Sequence, residues 1–205
     1  MKLVVATHNR DKLFEIRSLF ADLVINLVDL DSYPDFEPVE ETGTNLIENA
    51  LLKARETYNA IRLPAIADDT GLEVAALGGA PGVYSARYAG PGASYGDNVA
   101  KLLADLTGIE QEKRKAKFKT CAVYVDQHIE LVAEGEIAGY ITDVPKGTNG
   151  FGYDPIFFVP ELGKTFGEMK AAEKQKISHR KRAFYALKQS MQSTIPEIIS
   201  KENPA

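Results

Sequence analysis

The chain has 205 residues, 44% of them hydrophobic and 26% charged, with a net charge of −5, which is ordinary for a globular protein and long enough to bury a substantial core. The single cysteine, Cys121, excludes an internal disulfide framework and any site built from several thiolates. No apolar run reaches the ~18 residues of a spanning helix, and residues 1–6 are too short for a signal peptide, so a cytoplasmic protein with no membrane partner is expected.

Charge is unevenly spread. Residues 1–100 carry 8 lysines and arginines against 15 acids, and residues 101–205 carry 16 against 14. An acidic chain is poorly suited to nucleic acid as a partner, because that binding neutralises many phosphates. Carboxylates early and cations late suit a metal together with a polyphosphate.

Residues 2–6 read as a short apolar strand, and residues 10–21 place Leu13, Ile16, Leu19 and Phe20 on one helical face. Between them runs Thr7-His8-Asn9-Arg10-Asp11-Lys12. A strand-to-helix turn offers backbone N–H groups and the positive end of the helix dipole, a natural anion site. Thr7 and Asn9 add side-chain donors and Lys12 adds charge; the alternative is a plain N-cap by Asn9 among solvated charges. This is not a Walker P-loop, which needs a glycine-rich run ending in Gly-Lys-Ser/Thr.

Residues 24–29 form a second strand and residues 30–43 a polar, proline-containing loop. From 45 to about 61 the chain is strongly amphipathic, with Leu46, Ile47, Ala50, Leu51, Ala54 and Tyr58 on one face and Asn45 and Glu48 resembling a capping box. Lys53 in this helix suits either a pair with Glu56 or a phosphate contact. Residues 64–67 make a strand ending in Asp68-Asp69, the second acidic pair after Glu40-Glu41. Adjacent carboxylates repel and are best tolerated beside a cation. Hard oxygen ligands suit Mg²⁺, and ligands usually sit at the carboxyl ends of α/β strands. A solvated acidic loop and a simple Asp-Asp-Thr-Gly turn are the alternative.

A Gly/Pro-rich loop spans 78–92 and a helix about 94–106. Two strands at 116–126 and 128–136 share a tight turn, and a third follows at 138–144; Cys121 reads as a small buried hydrophobe within the first. In the glycine-rich loop 145–155, Phe151 can stack on a flat ring and Asp154 can accept from a base edge, or the loop is a hairpin turn around a core Phe. Residues 156–159 are a short strand. The last helix starts near Ser178, with Ala183, Leu187 and Met191 facing inward. The stretch from Lys174 to Arg182 holds five Lys/Arg in nine residues. His179, Arg180, Lys181 and Arg182 in a first helical turn oppose the dipole, which suggests an anion nearby; RNA contact or solubility would also explain them. Residues 193–205 read as a frayed tail. The element order predicts a mixed α/β fold with helices flanking a central sheet. No Ser/His/Asp triad is visible, and His8, His128 and His179 do not suggest a three-histidine zinc site.

Taken together, eight stretches resemble the inosine triphosphate pyrophosphatase family (dITP/XTP pyrophosphatases), in the family's order over residues 2–190. Besides the Thr7–Lys12 turn they are Glu40-Glu41-Thr42-Gly43, Glu48-Asn49-Ala50, Lys53-Ala54-Arg55, Ala67-Asp68-Asp69-Thr70-Gly71-Leu72, the run from Gly78 to Tyr88, Gly150-Phe151-Gly152-Tyr153-Asp154-Pro155 and Ile177-Ser178-His179-Arg180. The resemblance implies a central mixed sheet split into two lobes with the active-site cleft between them, one domain over 1–192 and a homodimer. It also implies Mg²⁺-dependent hydrolysis of ITP, dITP or XTP to the monophosphate and pyrophosphate. Thr7, Asn9, Lys12 and Lys53 would hold the triphosphate, with His8, Arg10 and Asp11 in the same binding turn. Glu41 and Asp69 would hold Mg²⁺, with Asp68 and Glu40 as further candidates, and Asp69 would be the general base. Thr70 would contact substrate, and Phe151, Gly152, Tyr153, Asp154, Lys174, His179 and Arg180 would hold the base and neighbouring groups. A non-catalytic purine nucleotide sensor, a stepwise phosphatase and an RNA-binding module are the rival readings.

Overall fold

The computed structural model describes residues 1–196 and Ile198. Strand β1 (Lys2–Val5) has three consecutive buried apolar residues, Leu3, Val4 and Val5, the pattern of a strand covered on both faces. It pairs in parallel with β2 (Asn26–Asp29) and with β3 (Ala65–Val74). Helix α1 (Arg10–Leu19) connects β1 to β2, and α2 (Leu46–Ile61) lies between β2 and β3. Then come β4 (Pro81–Gly82), α3 (Tyr95–Asp105), β5 (Lys115–Val125), β6 (Glu130–Ile141), β7 (Phe157–Val159), β8 (Lys164–Thr165), α4 (Ala171–Ile177) and α5 (His179–Thr194). The sheet order is β2-β1-β3-β5-β6-β7-β8, with β4 antiparallel on β3 and antiparallel pairs β6–β7 and β7–β8. The mixed sheet and, among the described residues, five α-helices are the α/β class that the element order predicts.

The chain divides into two compact units, and β3, β5 and β6 contribute residues to both. In the first unit (residues 1–69, 120–135 and from Arg180 onward) the pleat sorts each strand between two cores. Leu3, Val5, Ile66, Ala122 and Tyr124 pack with Ile16 of α1 and Ala183, Phe184, Leu187 and Met191 of α5. Their sequence neighbours Val4, Ala65, Ala67, Cys121 and Val123 pack with Ala50 and Ala54 of α2. Burial pushes the Cys121 thiol up to about 12, so it behaves as the inert hydrophobe expected. The second unit (residues 70–119 and 136–179) has its own core of Leu72, Leu102, Leu106, Ile137, Ile141, Phe118, Phe157 and Phe166. There α3 is opened by a reciprocal Ser94–Asp97 capping box.

Five expectations change. β3 does not end at Asp68-Asp69 but continues for ten residues to Val74, because each carboxylate finds a buried partner and the ladder need not stop. The strands expected at 128–136 and 138–144 are one long strand, β6, which runs without a break from Glu130 to Ile141 and leaves 128–129 and 142–144 outside it. Helix α4, too short to show a period, precedes the last helix. At α2, Asn45 caps Glu48 as expected, but the Glu48 carboxylate accepts from the N–H and hydroxyl of Thr44 instead of closing the box on Asn45. Residues 193–194 finish α5, and Ile195 and Ile198 are buried in the first core rather than frayed. Residues 197 and 199–205 of the expected tail lie outside the described residues.

Candidate active site

The site in the first unit is built around the middle of β3. Successive strand residues point to opposite faces, so Asp68 and Asp69 diverge. Asp69 faces α2, where Asn49 donates to its Oδ2 at 3.2 Å and the Lys53 ammonium lies 3.4 Å from its Oδ1. The same ammonium is held by Glu41 Oε1 at 2.5 Å. Two carboxylates from distant segments therefore converge on one cationic atom. Burial, with help from Glu41, raises the Asp69 pKa despite Lys53 and Lys12. Burial also works against the charge of Lys53, but Asp69 and Glu41 outweigh it and hold its pKa above normal. Lys53 does not use its helical neighbour Glu56, which lines a separate cavity in the same unit.

Asp68 faces α1 and α5. Its Oδ2 accepts from Lys12 Nζ at 3.1 Å and from Arg180 Nε and Nη2, both at 3.3 Å. Arg180 also reaches Glu15 Oε2 at 2.6 Å. Burial opposes the Asp68 charge, but Lys12 and Arg180 prevail and hold its pKa well below the carboxylate range. Burial, Lys53 and Arg180 together lower the pKa of Lys12. Arg180 answers the puzzle of cations in a first helical turn: the anions it meets are Asp68 and Glu15 of the protein itself.

In the turn before α1, Asn9 Oδ1 accepts from the N–H groups of Asp11 and Lys12, and Thr7 Oγ1 accepts from Asn9 N. Asn9 is thus an N-cap, and its carbonyl occupies two of the donors offered to an anion. Lys12 points to Asp68, whereas His8 and Asp11 are exposed and Arg10 makes a 3.7 Å surface pair with Asp31.

In the second unit, Asp154 and Lys174 are both buried and paired at 2.6 Å. Asp154 Oδ2 also accepts from Phe151 N, and Lys174 Nζ sits 4.7 Å above the Phe151 ring. Gly150 makes this closure possible: its φ is +73°, and a Cβ there would lie 2.0 Å from Asp154 Oδ2. Tyr153 is buried and donates to the Ser85 carbonyl. His179 stacks on Phe118 at 4.5 Å. Gly152 and Thr70 are half-buried. Phe151, Asp154 and Lys174 form one group; Tyr153 and His179 are held in the core of the same unit.

The donor set around Lys53 fits a hard divalent cation. Mg²⁺ is usually held by one or two carboxylates, with waters and phosphates completing its shell. Among the described residues no group of three or more His, Cys, Asp or Glu side chains forms an all-protein cage; Glu41 and Asp69 are the pair that converges. Asp68 faces the opposite side of β3, and Glu40 is exposed and lines the cavity that Glu56 also lines. Two contributors escape the sequence reading, Glu15 and Asn49. For Asn49 a signal existed: Asn49, Lys53 and Thr57 recur every four residues, a polar strip on the inner face of a helix packed by Ala50 and Ala54.

This is an α/β protein with a buried carboxylate and ammonium site, and comparison with known proteins gives its family. A sequence model of the Ham1 family matches residues 3–190. A dITP/XTP pyrophosphatase of Thermoanaerobacter sp. (strain X514) is 48% identical over 188 residues, covering 92% of this chain and 95% of that one. A dITP/XTP pyrophosphatase of Haemophilus influenzae is 49% identical over 196 residues, covering 93% and 98%. The solved HAM1 protein from Coxiella burnetii is 38% identical, covers 95% of this chain and is itself covered completely, with a TM-score of 0.86. The chain belongs to the Ham1 family.

Proposed function

We propose that the protein hydrolyses the α–β phosphoanhydride of inosine- and xanthosine-type purine nucleotides, ITP, dITP and XTP, to the nucleoside monophosphate and pyrophosphate. The observation that carries this reading is the convergence of Glu41 and Asp69 on Lys53. A triphosphate and its counter-ion need carboxylates and ammonium groups in one place. The dITP/XTP pyrophosphatases among its relatives support the same activity. The reading assigns residues 1–192 to one pyrophosphatase domain, acting as a cytoplasmic homodimer without nucleic-acid or membrane partners. No helix among the described residues is long and apolar enough to cross a membrane.

Mg²⁺ held by Glu41 and Asp69 would supply charge neutralisation at the phosphates and lower the pKa of water. Asp69 takes the proton from the water that attacks the α-phosphorus, and its raised pKa makes it a better base than an ordinary carboxylate. Lys53 and Lys12 balance the charge of the triphosphate as pyrophosphate leaves, and Thr7 and Asn9 offer it hydrogen bonds. His8, Arg10 and Asp11 flank them in the same turn. Arg180 acts by neutralising Asp68. Phe151 offers its ring face to the base, with Thr70, Gly152, Tyr153, Asp154, Lys174 and His179 shaping its surroundings. A site that donates to a 6-oxo group is left unpaired by adenine, which allows discrimination of about 10⁴.

The test is to incubate the protein and Mg²⁺ with ITP, dITP, XTP, GTP and ATP and to detect pyrophosphate and orthophosphate separately. Pyrophosphate equimolar with IMP or XMP is expected, with ATP slower by about 100-fold or more. Orthophosphate as first product would instead mark a stepwise phosphatase, and saturable ITP binding without turnover a sensor.

A further inference from the structure

We propose that Asn49 is a positioning residue that locks the Glu41 loop to Asp69 and so sets the spacing of the two carboxylates; the inference rests on the reading of Glu41 and Asp69 above. Asn49 is completely buried in α2, one turn before Lys53. A primary amide brings donors and an acceptor that must be satisfied once buried. Here the carbonyl oxygen accepts from Gly43 N at 2.7 Å and the amide nitrogen donates to Asp69 Oδ2 at 3.2 Å. One side chain thus holds the backbone two residues beyond Glu41 and, at its other end, one oxygen of Asp69. The second Asp69 oxygen is left to Lys53, which Glu41 shares.

The loop is shaped for this contact. A Cβ on Gly43 would lie 2.6 Å from Asn49 Oδ1 and 2.7 Å from Glu48 Cβ, so glycine alone lets this backbone lie against the helix. The next residue, Thr44, is fixed by two hydrogen bonds to Glu48, and Asn45 caps the helix. Residues 43 to 45 are pinned one after another to α2, with Glu41 two residues from the pin. Catalytic geometry is intolerant: a displacement of about 1 Å costs on the order of 100-fold in rate.

Three variants test this. Asn49→Asp keeps an acceptor for Gly43 N–H but sets a carboxylate against Asp69. Asn49→Ala removes both contacts, and Gly43→Ala pushes the loop from its own side. Pyrophosphate release from ITP, normalised to folded protein, should show kcat about 100-fold lower in both Asn49 variants with KM changed less than about 3-fold. Gly43→Ala should lose about 10-fold in kcat. Hydrogen exchange over residues 39–45 should quicken about 10-fold in Asn49→Ala and stay at the wild-type rate in Asn49→Asp. A residue needed only for folding would lower the melting temperature and leave kcat per folded molecule unchanged. Wild-type kcat in folded Asn49→Ala or Gly43→Ala overturns the proposal, as does unchanged exchange in Asn49→Ala. A wild-type protein that releases no pyrophosphate would instead defeat the functional reading, and the exchange experiment would still decide whether Asn49 holds the loop.

Discussion

Asp68 and Asp69 are the same residue type, side by side on β3, and the pleat gives them opposite environments. Asp68 is enclosed by Lys12 and Arg180, so its ionised form is favoured by the fold. Asp69 shares one ammonium with Glu41, and burial keeps its ionised form disfavoured. On one face Asp68 meets two cations, Lys12 and Arg180; on the other, Asp69 and Glu41 meet at Lys53. Two carboxylates that converge on one ammonium are stabilised when a further cation joins them, and on that ground we assign the chemistry to the α2 face and anchoring to the α5 face.

Disrupting the anchor should produce the largest effect. Asp68→Asn leaves the buried Arg180 and the partly buried Lys12 with one anion fewer, and loss of about 3 kcal/mol or more is expected from urea unfolding. The pH dependence follows with its sign. The folded-state pKa of Asp68 lies below the ordinary 3.8, so its contribution is present above about pH 4 and is lost as the pH falls through the folded value. Acid unfolding curves should therefore be shallower in Asp68→Asn than in the wild type.

Disrupting the reactive face should do the reverse. Asp69→Asn should lower turnover by about 100-fold or more with nucleotide still bound, while changing stability at pH 7 by less than about 1 kcal/mol. Its raised pKa means that the ionised side chain adds nothing favourable to folding at neutral pH. Near-wild-type turnover in this variant would remove the contrast. In the second unit, Gly150→Ala forces a side chain into a left-handed residue against Asp154; a loss of about 1–2 kcal/mol in thermal unfolding is expected. The smallest effect belongs to the exposed Arg55–Glu130 pair: Arg55→Ala should cost below about 1 kcal/mol, since solvent and salt screen it.

Much of the fold was legible in local pattern. The 3.6-residue period marked α1 and α2, and alternating or continuous apolar runs marked β1, β5 and β7. Where the pattern failed, tertiary contact had overridden it. Asp-Asp reads as a strand end because two carboxylates in a ladder need buried partners, and one of those, Arg180, lies 112 residues away. Seven residues of α4 are too few to show a period. Ile47 reads onto the inner face of α2 but is 36% exposed, whereas Asn49 is completely buried.

By itself the sequence determined the α/β element order, the acidic and basic segments from which the site is made, and the glycines that close its loops, since these depend on local periodicity and residue chemistry. Only the tertiary structure decided that Lys53 joins Glu41 to Asp69, that Arg180 serves Asp68, and that Asn49 ties loop to strand. Those pairings join residues far apart in the chain, and their strength comes from burial, which no local pattern encodes.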